Sequence, residues 1–149
     1  MNLENMLMAL TLLHLQGGRA RAVAAAMPPI FLYRPATGQV ETVQVGGMFL
    51  GSCIDLPYDE TSFQLSPGDL MLLMTDGLTD LHNPDDETLD YERVLECFKK
   101  VATLPPMAII DRLIALADKW RQGRPQNDDI TLVVIRMKTA PADSGYGHS

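Results

Sequence analysis

Cysteine is scarce in this chain of 149 residues: Cys53 and Cys97 are the only two, and they lie far apart. A disulfide framework or a zinc site needs more cysteines at shorter spacing, so we predict two reduced thiols in a cytoplasmic protein. Long apolar runs are also missing, since none reaches the roughly 18–20 residues that a membrane helix needs. The opening residues 1–15 are interrupted by Glu4 and Asn5 and lack a basic start, which argues against a signal peptide.

Positive charge is in deficit, because 12 Lys and Arg residues face 19 Asp and Glu residues and leave a net charge of −7. Nucleic-acid binding needs a basic surface, so nucleic acid is excluded as the expected partner. Eleven of the 19 acidic residues lie between Asp55 and Glu92, where they form either a solvated face or a cation site. Apolar residues are plentiful at 46%, which is enough for the core of one domain. Because no apolar run is long enough to span a bilayer, we expect no association with a membrane.

Alternating and continuous apolar segments predict a chain that is rich in β-structure. Gly17 and Gly18 separate two apolar segments and indicate a hairpin. Residues 70–74 are continuously apolar, which is typical of a strand buried on both faces. Strands are predicted at residues 7–15, 20–26, 30–34, 40–45, 61–65, 70–74 and 130–135.

Two helices are predicted between the last two strands. In residues 91–101 the apolar side chains recur at helical spacing. Pro105 and Pro106 open a second helix, because proline is tolerated in the first turn, and Gly123 is placed where that helix stops. The order of elements predicts an α+β fold with helices packed on a mostly antiparallel sheet system. Residues 139–149 are predicted to be a disordered tail.

Two acidic segments are candidates for chemistry. Thr75-Asp76-Gly77 directly follows the buried strand, and Asn127-Asp128-Asp129 directly precedes the last strand. If the two strands are neighbours, Asp76 and Asp128 lie together, and crowded carboxylates repel each other unless a cation joins them. Oxygen ligands without His or Cys suit Mg²⁺ or Mn²⁺. Both segments are also common turn sequences, so plain turns remain an alternative on these residues alone.

Four segments together resemble the motifs of the PPM family, also called protein phosphatase 2C-like, and most closely its bacterial SpoIIE/RsbU branch. They occur in the family's order, and the resemblance covers about residues 3–138. The segments are AAMPP with the following IFLY (residues 25–33), GMFLG (residues 47–51), SPGDLMLLMTDGLTD (residues 66–80) and NDDITLVVIR (residues 127–136).

The resemblance implies a fold and a reaction. Members of the family are β-sandwiches flanked by helices on both sides, in α-β-β-α layers, with two Mn²⁺ or Mg²⁺ ions at one end. A metal-bound water attacks the phosphorus of phosphoserine or phosphothreonine, and no further catalytic residue is implied. Asp76 and Asp128 match metal-binding aspartates of the family. Gly77 is expected to shape the turn, and Asp129 to support the ligand beside it or cap the turn.

The chain departs from the family pattern in three places. The family's first metal-binding segment, Asp-x-x-Gly-His-Gly-like, supplies a bridging aspartate and would lie before residue 1. Residues 1–138 are therefore expected to be the C-terminal part of a phosphatase domain, with an open sheet edge and a tendency to self-associate. Ala26 replaces a usual glycine, and Phe49 replaces a usual proline.

The function that follows from the resemblance is that of a metal-dependent protein serine/threonine phosphatase in bacterial signalling. Its substrate would be a phosphorylated regulatory protein such as an anti-sigma-factor antagonist, in a partner-switching system. One alternative is a catalytically inactive, truncated phosphatase-like module that binds signalling partners without turnover. A second alternative is an unrelated α+β binding domain in which the acidic segments are only turns.

Overall fold

The computed structural model describes residues 7–51 and 57–138. Cys53 and the predicted tail at residues 139–149 lie outside these ranges. The described elements are β1 (Leu10–Gln16), β2 (Arg19–Ala25), β3 (Ile30–Arg34), β4 (Gln39–Val43), β5 (Thr61–Gln64), β6 (Leu70–Met74), α1 (Asp90–Val101), α2 (Pro106–Arg121) and β7 (Leu132–Arg136).

The strands form two antiparallel sheets that pack face to face. The first sheet has the order β1-β2-β5 and the second has the order β4-β3-β6-β7. Ala20, Ala22 and Ala24 of β2 pack against Ile30 and Leu32 of β3 in the core between the sheets. The predicted α+β fold with a β-sandwich is confirmed. Within the described residues, helices cover only the second sheet, so the helical layer expected on the first sheet is not seen there.

The hairpin between β1 and β2 follows the predicted glycine pair. Gln16 pairs with Arg19, which leaves Gly17 and Gly18 as a two-residue turn. Their φ values of 55° and 74° lie in the left-handed region that such turns require and glycine adopts without strain. The first strand begins later than expected, at Leu10, so the predicted start at residue 7 was wrong.

Strand β6 is buried on both faces, as its apolar run predicts. Met71 enters the core between the sheets, whereas Leu70 and Leu72 face α1 and α2. On that side Phe31 of β3 meets Phe98 of α1, with ring centroids 6.4 Å apart. Neither helix in the described ranges is long and apolar enough to cross a bilayer.

A buried ion pair fixes the turn that begins β6. Asp69 is only 2% exposed, and its Oδ2 accepts hydrogen bonds from Arg34 at 2.5 Å and from the Ser66 backbone N–H at 2.8 Å. Arg34 also binds the carboxylate of Glu41. The hydrogen bond to Glu41 is the main factor that raises the pKa of Arg34, against the opposing effect of burial, and Asp69 raises it further. The start of β6 is thus anchored to β3.

The outer face of the first sheet predicts self-association. Leu12 is 61% exposed and Leu10 is 39% exposed, and Leu12 pairs across the strands with Val23 on the same face. Burying such a patch between two copies is favourable. We expect the sedimentation coefficient of the chain to rise with concentration, and Leu12→Lys to reduce this rise. His14→Lys, a change of a polar residue on the same face, is the control, and equal behaviour of the two variants would contradict the prediction.

Candidate metal centre

The two acidic segments meet at one end of the second sheet because β6 and β7 are neighbours. Met74 pairs with Leu132 at the end of the ladder. Beyond that pair the Thr75 backbone N–H donates to the Thr131 carbonyl at 3.1 Å. The segment that carries Asp76 is thereby held beside the segment that leads into β7.

The side chain of Thr75 joins the two segments a second time. Its hydroxyl donates to the Asp129 carbonyl at 3.0 Å and accepts from the Thr131 N–H at 2.9 Å. The Thr131 N–H therefore binds a side-chain hydroxyl and not a backbone carbonyl of β6, and regular pairing of the last strand begins at Leu132. The predicted start of that strand at residue 130 was therefore wrong.

Gly77 allows the two backbones to approach more closely than another residue would. An added Cβ atom would lie 2.3 Å from the Asp129 carbonyl oxygen and 3.3 Å from the Asp128 carbonyl oxygen. Real Cβ atoms do not approach a backbone oxygen as closely as 2.3 Å, so the position requires glycine. The role of Gly77 in shaping the turn of the candidate site stays a prediction.

The backbone of Asp76 is fixed by hydrogen bonds, and the residue is exposed to solvent. The Asp76 carbonyl accepts hydrogen bonds from the Asp80 N–H at 2.9 Å and from the Thr79 hydroxyl at 3.1 Å. Leu78 and Leu81, which are 0% and 3% exposed, anchor the same turn in the core. A rigid turn therefore presents an acidic side chain at the surface.

Asp128 is exposed too, and its neighbours restrain it. Its Oδ1 accepts from the Asp129 N–H at 2.7 Å, and its carbonyl accepts from the side-chain amide of Gln126 at 2.7 Å. Asp129 contacts both segments, because its carbonyl accepts the Thr75 hydroxyl. The supporting role of the Asp129 side chain stays a prediction.

The donor set suits a hard divalent cation. Within the described ranges, neither Asp76 nor Asp128 takes part in an ion pair. Mg²⁺ commonly binds one or two carboxylates and completes its shell with water and phosphate oxygens, and exposed aspartates are the residue type that such an ion prefers. No cluster of three or more His, Cys, Asp or Glu side chains that could hold a metal occurs among residues 7–51 and 57–138.

A groove runs from Asp76 toward α1, and sequence reasoning did not find it. Its volume is about 710 Å³. The lining residues come from distant parts of the chain: Ala26, Met27, Pro28, Pro29, Phe31, Thr42, Gln44, Asp76, Tyr91, Glu92 and Leu95. Periodicity assigned Tyr91 to the apolar stripe of its helix, yet Tyr91 is 41% exposed. The partial signal was the Pro28-Pro29 pair, which belongs to one of the four motifs.

Two of the motifs that carry the family resemblance touch each other near this groove. The Ala26 N–H donates to the Gly47 carbonyl at 2.9 Å. An added Cβ at Gly47 would lie 2.0 Å from the Ala24 carbonyl oxygen, so only glycine permits this contact. The chain from β2 into residues 27–29 is thereby fixed beside the groove.

Comparison with known proteins identifies the family. The sequence profile of Stage II sporulation protein E, or SpoIIE, matches residues 3–138. The chain belongs to the SpoIIE family. Stage II sporulation protein E of Bacillus subtilis is 28% identical over 129 residues, which are 86% of this chain and 15% of the relative.

Solved structures show the same fold in this SpoIIE-family chain. The PP2C phosphatase domain of SpoIIE from Bacillus subtilis, solved with a fragment of its regulatory domain, is 27% identical with a TM-score of 0.72. That match covers 88% of this chain and 37% of the solved chain. The RsbU and RsbW domains of a Mycobacterium tuberculosis protein are 26% identical with a TM-score of 0.63, covering 85% of this chain and 35% of theirs. The chain thus spans less than half the length of each of these proteins.

Proposed function

We propose that this chain is part of a PPM-type protein serine/threonine phosphatase. The observation that carries the proposal is that the two acidic turns touch each other where β6 ends and β7 begins. The Thr75 hydroxyl joins the turns, and Gly77 allows their backbones to approach closely. Membership of the SpoIIE family and the fold of PP2C phosphatase domains support it. The reaction is hydrolysis, in which water attacks phosphorus and the bond to the serine or threonine oxygen breaks. The products are a free hydroxyl and inorganic phosphate.

In this proposal the residues of the chain bind the cation and keep the two turns that hold it in position. Asp76 and Asp128 would hold Mn²⁺ or Mg²⁺, and Asp129 and Gly77 keep the two turns in contact. When bound, the cation neutralises the negative charge that builds on the phosphoryl oxygens in the transition state. The hydrogen bonds of the turn after β6 fix the backbone of Asp76 before substrate arrives, which would reduce the reorganisation needed during the reaction.

The proposed substrate is a phosphorylated regulatory protein in the cytoplasm, of the anti-sigma-factor antagonist type that partner-switching systems use. The structural likeness to the RsbU and RsbW domains supports a regulatory role. So does the likeness to the phosphatase domain of SpoIIE, which is described as a cell fate determinant. The net charge of −7 supports a protein rather than a nucleic acid as the partner.

One observation favours a second candidate function, a phosphatase-like module that binds signalling partners without turnover. Only two predicted ligands, Asp76 and Asp128, fall within the described residues, and no cluster of three potential metal-binding side chains occurs there. A centre with two cations would need more protein ligands than Asp76 and Asp128 provide. Such a module would retain the surface of the phosphatase and bind its phosphoprotein partner unchanged.

Phosphate release separates the two candidates. We expect the chain to release inorganic phosphate from a phosphoserine peptide when Mn²⁺ is present and to stop when EDTA removes it. Mg²⁺ replaces Mn²⁺ in a parallel reaction, because both suit oxygen ligands. Release that EDTA does not affect would contradict the metal-dependent mechanism. Binding of the peptide without any release would favour the module that lacks turnover.

A further inference from the structure

The groove beside Asp76 has two walls and a base. One wall is the segment of residues 27–29 between β2 and β3. The other wall is the first turns of α1, where Tyr91 and Leu95 are one helical turn apart and Glu92 lies beside them. Phe31, only 1% exposed, lies at the base. Asp76 is also part of the lining, so the groove adjoins the candidate metal centre.

Both walls are rigid. Pro28 and Pro29 have restricted φ angles, and the preceding Ala26 is tied to Gly47 by a backbone hydrogen bond. The start of α1 is fixed because the Asp90 carboxylate accepts a hydrogen bond from the Arg93 N–H at 3.0 Å. A groove that exists before binding costs little ordering entropy when a peptide enters it.

The chemistry of the lining matches a peptide segment. Met27, the two prolines and Leu95 are apolar, and Tyr91, which is 41% exposed, combines an aromatic ring with a hydroxyl. Aromatic side chains of this kind are typical anchors at protein interfaces. Glu92 is exposed at the edge and provides a negative charge for a basic side chain.

We propose that this groove binds the substrate polypeptide next to its phosphorylated residue, with Tyr91 as a specificity-determining residue. The groove takes an apolar side chain adjacent to the phosphoserine, and Glu92 pairs with an Arg or Lys further along the peptide. The proposal rests on the proposed function, because it places the phosphoryl group at Asp76.

A second apolar groove, between the same turn and α2, is a weaker candidate for the peptide. It has a volume of about 370 Å³, and its lining includes Leu78, Ile114, Gln126 and Ile130. Gln126 and Ile130 bring it next to the second acidic turn, but neither of the two candidate ligands lines it, whereas Asp76 lines the first groove. Ile114, which is 47% exposed, provides a matched control on that side.

The test compares two substrates on the full chain with Mn²⁺. p-Nitrophenyl phosphate reaches the centre without filling the groove, whereas a phosphoserine nonapeptide with Leu beside the phosphoserine and Arg further along fills it. We expect Tyr91→Ala to lower kcat/KM for the nonapeptide about tenfold, the loss typical of one interface anchor, and to leave kcat/KM for p-nitrophenyl phosphate unchanged. Ile114→Ala is expected to change neither value.

The charge of Glu92 is tested with a second peptide in which Glu replaces Arg. The unmodified chain is expected to prefer the Arg peptide, and Glu92→Gln to reduce that preference several-fold. Glu96→Gln, a change of an exposed acid one turn along the same helix, is the control. Equal effects of the two substitutions would overturn the role of Glu92.

Peptide binding, measured by fluorescence anisotropy, separates failure of the groove from failure of the phosphatase activity. If the chain releases no phosphate but Tyr91→Ala still weakens binding of the labelled nonapeptide, the groove stands and the proposed function fails. If Tyr91→Ala weakens neither binding nor turnover of the nonapeptide, the groove proposal is overturned. An equal loss on both substrates would overturn it as well, because Tyr91 would then act on the centre itself.

Discussion

Asp76→Asn and Asp128→Asn are each expected to lower Mn²⁺-dependent phosphate release by about 100-fold or more, the size of effect typical of a lost transition-state contact. The amide keeps the volume of the side chain but loses the negative charge that attracts a hard cation. Both residues are exposed, so neither substitution removes core packing. Initial rates with a phosphoserine peptide at saturating Mn²⁺ measure the effect.

Asp111→Asn is the control for these two substitutions, because Asp111 is an exposed aspartate on α2 and lies outside both acidic turns. It is expected to retain full activity. Thermal unfolding of all three variants shows whether the fold is intact. Full activity of Asp76→Asn at an unchanged Mn²⁺ requirement would contradict the assignment of Asp76 as a ligand.

Gly77→Ala is expected to lower the free energy of unfolding by about 3 kcal/mol and to abolish activity. The new methyl group would lie 2.3 Å from the Asp129 carbonyl oxygen, which belongs to the backbone and cannot rotate away. The two turns must therefore separate, and this loses the hydrogen bond from the Thr75 hydroxyl to Asp129. Urea unfolding followed by circular dichroism measures the change.

Gly46→Ala is the matched control for the effect of adding a methyl group. An added Cβ at Gly46 meets no atom within 4 Å, and the φ angle there is not in the left-handed region. Its stability is expected to stay the same or to rise by about 0.4–1 kcal/mol, because alanine restricts the unfolded chain. A Gly77→Ala variant as stable and active as Gly46→Ala would show that the two turns do not need this close contact.

The elements themselves were largely predictable from local patterns. The glycine pair at residues 17 and 18 gave the hairpin, and the apolar run of β6 indicated burial on both faces. Pro106 stands at the first position of α2, as its place in the sequence predicts. These features depend on a few neighbouring residues, and local physical chemistry is sufficient for them.

The arrangement of the site was not available from local patterns. No local pattern indicates that Met74 and Leu132 are partners, because α1 and α2 lie between β6 and β7 in the chain. The hydrogen bonds of the Thr75 hydroxyl with the Asp129 carbonyl and the Thr131 N–H accompany the same pairing, and regular pairing of β7 begins at Leu132 rather than at residue 130. The proximity of Asp76 and Asp128 was therefore predicted on the condition that the two strands are neighbours, and β6 and β7 do pair.

The groove was the feature of the site that the sequence predicted least. Its walls come from residues 26–29, 42–44 and 91–95, which approach each other only after β3, β4 and α1 have packed. Helical spacing correctly assigned Tyr91 to a helix, but spacing cannot tell an apolar face in the core from one that borders an open groove.

Binding of Mn²⁺ is the most direct test of the central claim that Asp76 and Asp128 hold one cation site of a phosphatase. Titration of the chain with Mn²⁺, followed by electron paramagnetic resonance of the free ion, gives the affinity without relying on turnover. We predict that Asp76→Asn and Asp128→Asn each weaken Mn²⁺ binding at least about tenfold, whereas Asp111→Asn leaves it unchanged. An Mn²⁺ affinity that is the same in all three variants as in the unmodified chain would contradict the account.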